Sequence, residues 1–161
     1  MITTEAVEKA CTEVGEYSEE QMAAEFERFF KAQPELCEFV AELTSESEPK
    51  VQELSMFLSY MVFKTVERER NTDLPSITQA MIETAFHNSE NWIEKLNGPG
   101  APDIEATILS SFEADNEPHL LQYVITEINQ IMDDEAPLAD EQKGEIFFIL
   151  KTVISSLKEI S

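Results

Sequence analysis

VQELSMFLSYMVFKTV, from Val51 to Val66, is a stretch of helical length in which apolar residues occupy two opposite faces. At about 100° per residue, one broad face carries Val51, Leu54, Phe57, Leu58, Met61 and Val62. The opposite face carries Met56, Tyr60 and Phe63. A helix that is apolar almost all round must be covered on more than one side. We therefore predict that this helix lies at the centre of the fold.

A second central helix is predicted from GEIFFILKTVISSL, residues 144–157. Its main apolar stripe consists of Ile146, Ile149, Leu150, Val153, Ile154 and Leu157, and Phe148 lies well outside that stripe. We expect this helix to pack beside the first central helix.

The rest of the chain predicts further helices joined by short polar turns. Four glycines and seven prolines are few among 161 residues, and no convincing alternating strand pattern occurs. We predict a single all-α domain, residues 1–161, with eight helices. Their predicted ranges are Thr3–Tyr17, Ser18 through Phe30, Pro34–Thr44, the helix around residues 51–70, Ser76–Leu96, Asp103–Ala114, Pro118–Met132 and Asp140–Ile160. Capping boxes are predicted at Ser18–Gln21 and at Ser76–Gln79.

The chain also resembles itself in four collinear segments. ITTEAVEKAC from Ile2 matches ITQAMIETAF from Ile77, and the later matches are MAAEFERFFKA with IEATILSSFEA, PELCEFVAEL with PHLLQYVITE, and KTV with KTV. The offsets rise through 75, 82, 84 and 87, as loop insertions in a second copy would produce. We predict an eight-helix bundle of two similar four-helix units, residues 1–74 and 75–161. The alternative is that amphipathic helices share residues by composition.

The charge of the chain restricts its partners. With 33 acidic and 11 basic residues the formal net charge is -22, so a nucleic-acid backbone would be repelled and we predict no nucleic-acid binding. The same charge favours a basic protein partner, although it also keeps helices solvated. A homo-oligomer, such as a dimer, is the other partner that we consider. Tyr60 and Phe148, both off the main stripes, are the interface candidates.

The location of the protein is predicted from what its sequence lacks. The beginning of the chain has no basic and apolar signal pattern, and no stretch approaches the roughly 18 apolar residues of a membrane span. We expect a cytoplasmic protein without membrane contact. Cys11 and Cys37 lie in apolar helical patterns, and we expect them to be reduced structural thiols.

Glu83, His87 and Glu90 in ITQAMIETAFHNSE are candidate metal ligands, because spacings of four and three align them on one helical face. That face lies opposite the apolar side, however, whereas bundle metal sites converge from several helices. We predict a solvated face, and no metal or cofactor.

No nucleophile motif or phosphate-binding loop occurs in the sequence, so an enzyme is not expected. The leading hypothesis is a non-catalytic protein–protein interaction module, acting through self-association or through an acidic face. The alternative hypothesis is a helical bundle that binds a small ligand or a metal.

Overall fold

The structure, a computed structural model, describes residues 2–96, 117–130 and 139–160. These ranges contain seven helices and no strand, which confirms the all-α prediction. The helices are α1 (Thr4–Gly15), α2 (Glu19–Ala32), α3 (Pro34–Leu43), α4 (Pro49–Arg70), α5 (Gln79–Leu96), α6 (Pro118–Gln130) and α7 (Asp140–Ile160). The helix predicted at Asp103–Ala114 lies outside the described residues, so the count of eight stays a prediction. None of the described helices has an apolar run long enough to cross a lipid bilayer.

The starts of α2 and α3 follow the sequence signals. The Ser18 backbone N–H donates to Gln21 Oε1 over 2.8 Å, and the Gln21 backbone N–H donates to Ser18 Oγ over 3.2 Å, which confirms the predicted capping box of α2. Pro34 occupies the first turn of α3, where its missing N–H costs no helical hydrogen bond.

The predicted capping box at Ser76 and Gln79 is wrong, because Thr78 caps α5 instead. The Met81 backbone N–H donates to Thr78 Oγ1 over 3.2 Å. Ser76 Oγ donates to the carbonyl of Ala32 at the end of α2, over 2.7 Å. The Ser76 hydroxyl thus binds α2 and does not cap α5. Helix α5 therefore begins two residues later than its local sequence suggests.

Gln33 fixes the chain between α4 and α5. Its fully buried side chain donates from Nε2 to the carbonyl of Pro75 over 2.9 Å and accepts from the Ile77 backbone N–H over 2.8 Å. Both polar ends of the amide are thus satisfied, and the buried Ile77 N–H, which would otherwise lack a partner, is satisfied as well. The connection into α5 is therefore held against the end of α2.

Helices α4 and α7 form the centre of the fold, as predicted. Helix α4 contacts α1, α2, α3 and α7, and α7 contacts α3, α4, α5 and α6. The buried residues of α4 include Leu58 and Val62 from its broad face and Tyr60 and Phe63 from the opposite one. Burial on both faces explains why this helix has little amphipathic character.

The helices make matching contacts within the two halves of the chain and across them. Helix α1 packs on α4 as α5 packs on α7, and α3 packs on α4 as α6 packs on α7. Across the halves, α1 contacts α6, and α3 contacts α5. A hydrogen bond just before α1 also joins the two halves, because the Ile2 backbone N–H donates over 2.8 Å to Oε2 of the buried Glu117.

Tyr60 lies in the core rather than on the surface, which corrects its selection as an interface candidate. Its side chain is 0% exposed and contacts the rings of Phe26 and Phe29, with centroids 5.1 and 5.9 Å away. The face of α4 that carries Tyr60 is covered by α2, so lying outside the main stripe does not mean exposure. In this conformation the ring is not available to a partner.

A group of ion pairs joins α1, α2 and α4 beside the aromatic core. Arg28 donates two hydrogen bonds of 2.7 Å to the Glu67 carboxylate and also binds Glu25, 2.9 Å from Nη2. Lys64, whose side chain is only 11% exposed, lies 3.5 Å from Glu25 and 3.8 Å from Glu13. Burial alone would raise the pKa of Glu25, but Arg28 and Lys64 outweigh it and hold that pKa below its usual value.

The first prediction concerns the Tyr60 hydroxyl, which is buried near the Glu25 carboxylate and makes no hydrogen bond of ordinary length and angle with any described residue. Replacing Tyr60 by Phe removes an unsatisfied polar group and keeps the ring. We expect the free energy of unfolding to stay unchanged or to rise by up to about 1 kcal/mol in urea denaturation. Tyr60→Ala, the control for the ring, should lose about 3–5 kcal/mol. A loss of about 2 kcal/mol in Tyr60→Phe would contradict this view of the hydroxyl.

The second prediction concerns acid stability. Because the folded-state pKa of Glu25 is lowered, its stabilising contribution is present above the ordinary value of 4.5 and is lost as the pH falls further. We expect Glu25→Gln to lower the free energy of unfolding by about 1–2 kcal/mol at neutral pH, with a smaller loss at about pH 3. Urea denaturation at both pH values measures this difference. The exposed Glu8→Gln serves as control, and an equal loss for Glu25→Gln at both pH values would contradict the prediction.

Candidate functional site

A groove between α3 and α5 is the candidate site. It has a volume of about 470 Å³ and is open to solvent. We call it the α3–α5 groove, and its lining residues are Glu35, Glu38, Phe39, Glu42, Leu43, Gln79, Ile82, Glu83, Phe86 and His87. Side chains from two helices that are far apart in sequence meet there.

The floor of the α3–α5 groove is apolar and aromatic. The rings of Phe39 and Phe86 meet edge to face, with centroids 6.0 Å apart. Ile82 and Leu43 extend the floor, and Phe39, Leu43 and Phe86 remain partly exposed. Phe39 and Leu43 lie one helical turn apart on α3, as Ile82 and Phe86 do on α5. The floor therefore presents two short apolar ridges to whatever enters the groove.

Phe148, the second interface candidate, supports this floor from α7. Its ring meets the ring of Phe86 edge to face, with centroids 5.3 Å apart. Phe148 is half-buried and does not line the groove itself. Its position outside the main stripe of α7 thus reflects packing against α5.

The rims of the α3–α5 groove are acidic. Glu35, Glu38 and Glu42 are exposed on α3, at spacings of three and four that align them along one edge. Glu83 is exposed on the α5 side. The ten lining residues thus include four glutamates and neither a lysine nor an arginine. Among the described residues, none of these four glutamates forms an ion pair with a lysine or arginine, whereas Glu25 and Glu67 both pair with Arg28.

The three candidate metal ligands do not form a compact site. Glu83 and His87 belong to the rim of the groove, and the His87 side chain is 74% exposed. His87 Nδ1 lies 3.7 Å from Glu90 Oε1, which is a loose surface pair. Among the described residues, no three His, Cys, Asp or Glu side chains are grouped closely enough to hold a metal ion.

The thiols and the other histidine occupy structural positions. Cys37 is buried and free, and burial raises its pKa to about 12. Cys11 is also free, and burial against α6 raises its pKa, with Tyr123 as a hydrogen-bonding neighbour. A thiol with a raised pKa forms little of the nucleophilic thiolate at neutral pH. His119 Nδ1 lies 3.0 Å from Thr4 Oγ1, which links α6 to α1.

Comparison with known proteins gives no match. No protein-family model, no curated protein and no solved structure is significantly similar to the chain. The geometry and charge of the α3–α5 groove are therefore the basis for a functional assignment.

Sequence patterns alone did not identify this groove. The rings of Phe39 and Phe86 pack on each other, but only as the half-covered floor of a cleft. The available signal was the row of glutamates on α3, three and four residues apart beside an apolar stripe. That row can be recognised as the rim of a groove only when α5 is known to lie next to α3.

The third prediction concerns metal binding by His87. Since its carboxylate neighbours do not converge on one point, we expect zinc titration followed by calorimetry to show no saturable heat that depends on His87. The His87→Ala variant is the matched comparison, because the side chain is exposed and its loss should leave the fold intact. A stoichiometric heat that disappears in His87→Ala would establish a zinc site and contradict this expectation.

Proposed function

We propose that this chain is a non-catalytic protein–protein interaction module that binds a basic segment of a partner protein in the α3–α5 groove. The observation that carries the proposal is the combination of an aromatic floor with rims that contain four glutamates and neither a lysine nor an arginine. The apolar floor supplies binding energy when water is displaced from it, and the rims select the sign of the partner's charge.

The overall charge supports a basic protein over other partners. A net charge of -22 repels nucleic-acid phosphates and raises the rate at which a cationic surface is encountered. Two copies of the same chain repel each other for the same reason. Self-association remains a second possibility from the sequence, but the burial of Tyr60 removes one of the two residues that suggested it.

We also infer that the chain arose by duplication of a four-helix unit. The matching helix contacts within and across the two halves support this inference. At the offsets of 75 and 84, the α3–α5 pair corresponds to α6 and α1. Phe39 and Phe86 then correspond to Tyr123 and Cys11, which also contact each other. Thr4 and His119, which contact each other, correspond to Gln79 and Glu35, respectively.

Comparison of the two halves supports the proposal that the acidic rim binds a basic ligand. Glu38 and Glu42 of α3 correspond to Gln122 and Thr126 of α6, which are exposed but uncharged. A need for solubility alone would act on both of these helices alike. The row of glutamates is instead confined to the side where the groove is open, as selection for a basic ligand would favour.

The fourth prediction tests the rim with a basic probe. The probe is a fluorescent peptide of about 14 residues, roughly four helical turns, made only of leucine and lysine. We expect the triple substitution Glu35→Gln, Glu38→Gln and Glu42→Gln to weaken its binding about tenfold at low salt, because three charge pairs are lost. Fluorescence anisotropy titration provides the dissociation constants.

The control triple variant is Glu8→Gln, Glu16→Gln and Glu20→Gln. It removes the same charge from exposed positions elsewhere, and Glu20 matches Glu35 because each lies in the first turn of its helix. The control should bind within about twofold of the unmodified protein, since only the long-range field changes. Equal weakening in both variants would show that net charge alone attracts the probe, and would overturn the proposal.

A further inference from the structure

We infer that the segment bound in the α3–α5 groove is a short amphipathic α-helix whose apolar face lies on the floor and whose lysine or arginine side chains reach both rims. This inference rests on the proposed function and specifies the conformation and side-chain pattern of the partner. It follows from the shape of the floor, the length of α3, and the hydrogen bonding of the walls.

The floor has the pattern that a helix requires. Its two ridges, Phe39 with Leu43 and Ile82 with Phe86, each repeat after four residues, and the rings of Phe39 and Phe86 meet between them. Apolar side chains at positions i, i+3, i+4 and i+7 of a third helix form a ridge of similar spacing, which can pack on these residues.

The length of the groove limits the length of the ligand. Helix α3 comprises 10 residues, which at about 1.5 Å per residue gives a wall of roughly 15 Å. A ligand helix lying along this wall would make contact through about three turns. A segment of that length carries three or four apolar positions, as many as the two ridges can accommodate.

The backbone of the walls disfavours an extended ligand. Both walls are helices, whose N–H and C=O groups are already hydrogen-bonded within α3 and α5, and the described residues contain no strand edge. An extended peptide would press unsatisfied backbone groups against the aromatic floor. A helix satisfies its own backbone and presents only side chains to the groove.

The charge of the rims determines which charged side chains the ligand should carry beside its apolar stripe. Glu35, Glu38 and Glu42 lie along one edge and Glu83 along the other, so cationic side chains on both flanks of the apolar stripe are complementary. An acidic helix would meet uncompensated like charge on both sides. The fitting ligand is therefore basic on two flanks and apolar between them.

The fifth prediction compares two peptides of identical leucine and lysine composition. In one, the leucines occur at i, i+3, i+4 and i+7, and in the other they alternate with lysine. We expect the helically spaced peptide to bind the full chain about tenfold more tightly, to gain helical circular dichroism on binding, and to protect residues 35–43 and 79–87 from amide exchange.

The possible outcomes separate the inference from the proposed function. If both peptides bind equally and both lose affinity in the Glu35, Glu38 and Glu42 triple variant, the acidic site stands and the helical ligand is overturned. Tighter binding of the alternating peptide also overturns the helical ligand. If the helically spaced peptide binds but the triple variant does not weaken it, or protection falls on other helices, the groove assignment fails. If neither peptide binds the unmodified chain, both fail.

Discussion

The structure depends on the need to cover α4 from all sides. A helix with Leu58 and Val62 on one face and Tyr60 and Phe63 on the other cannot lie at a surface without exposing large apolar area to water. Four helices surround it, and one of them, α7, is itself central to the remainder. The position of α3 follows from this arrangement, because α3 packs on both central helices and thereby comes to lie beside α5, where the groove forms.

The few basic residues determine where negative charge is compensated. Arg28 and Lys64 lie beside the aromatic core, where they pair with acidic side chains of α1, α2 and α4 and contact the rings of Phe63 and Tyr17. Those acidic groups are used to hold helices together. The glutamates around the α3–α5 groove have no such partners among its lining residues, so their field extends into solvent. The two acidic regions differ in charge compensation because the cations are distributed unevenly.

Local features of the sequence predicted the helices well, whereas the environments of individual side chains could be determined only from the tertiary structure. The capping box at Ser18, the proline that begins α3 and the central helices all follow from short-range patterns. Thr78 replaced Ser76 as the cap of α5 because a residue of α2 binds the Ser76 hydroxyl. Tyr60 was misjudged since a helical wheel does not show that α2 covers the second face. The groove joins Phe39 and Phe86, which are 47 positions apart in the sequence, and periodicity gives no information about such pairs.

The contacts between the two halves of the chain have a consequence for synthesis of the protein. Ile2 and Thr4, at the start of α1, contact Glu117 and His119, which are 115 residues away in each case. While the ribosome is still translating the second half, α1 lacks α6, and α4 lacks α7. The apolar side chains of both helices then stay accessible until most of the chain has emerged, so the final packing is expected to form late and to involve both halves together.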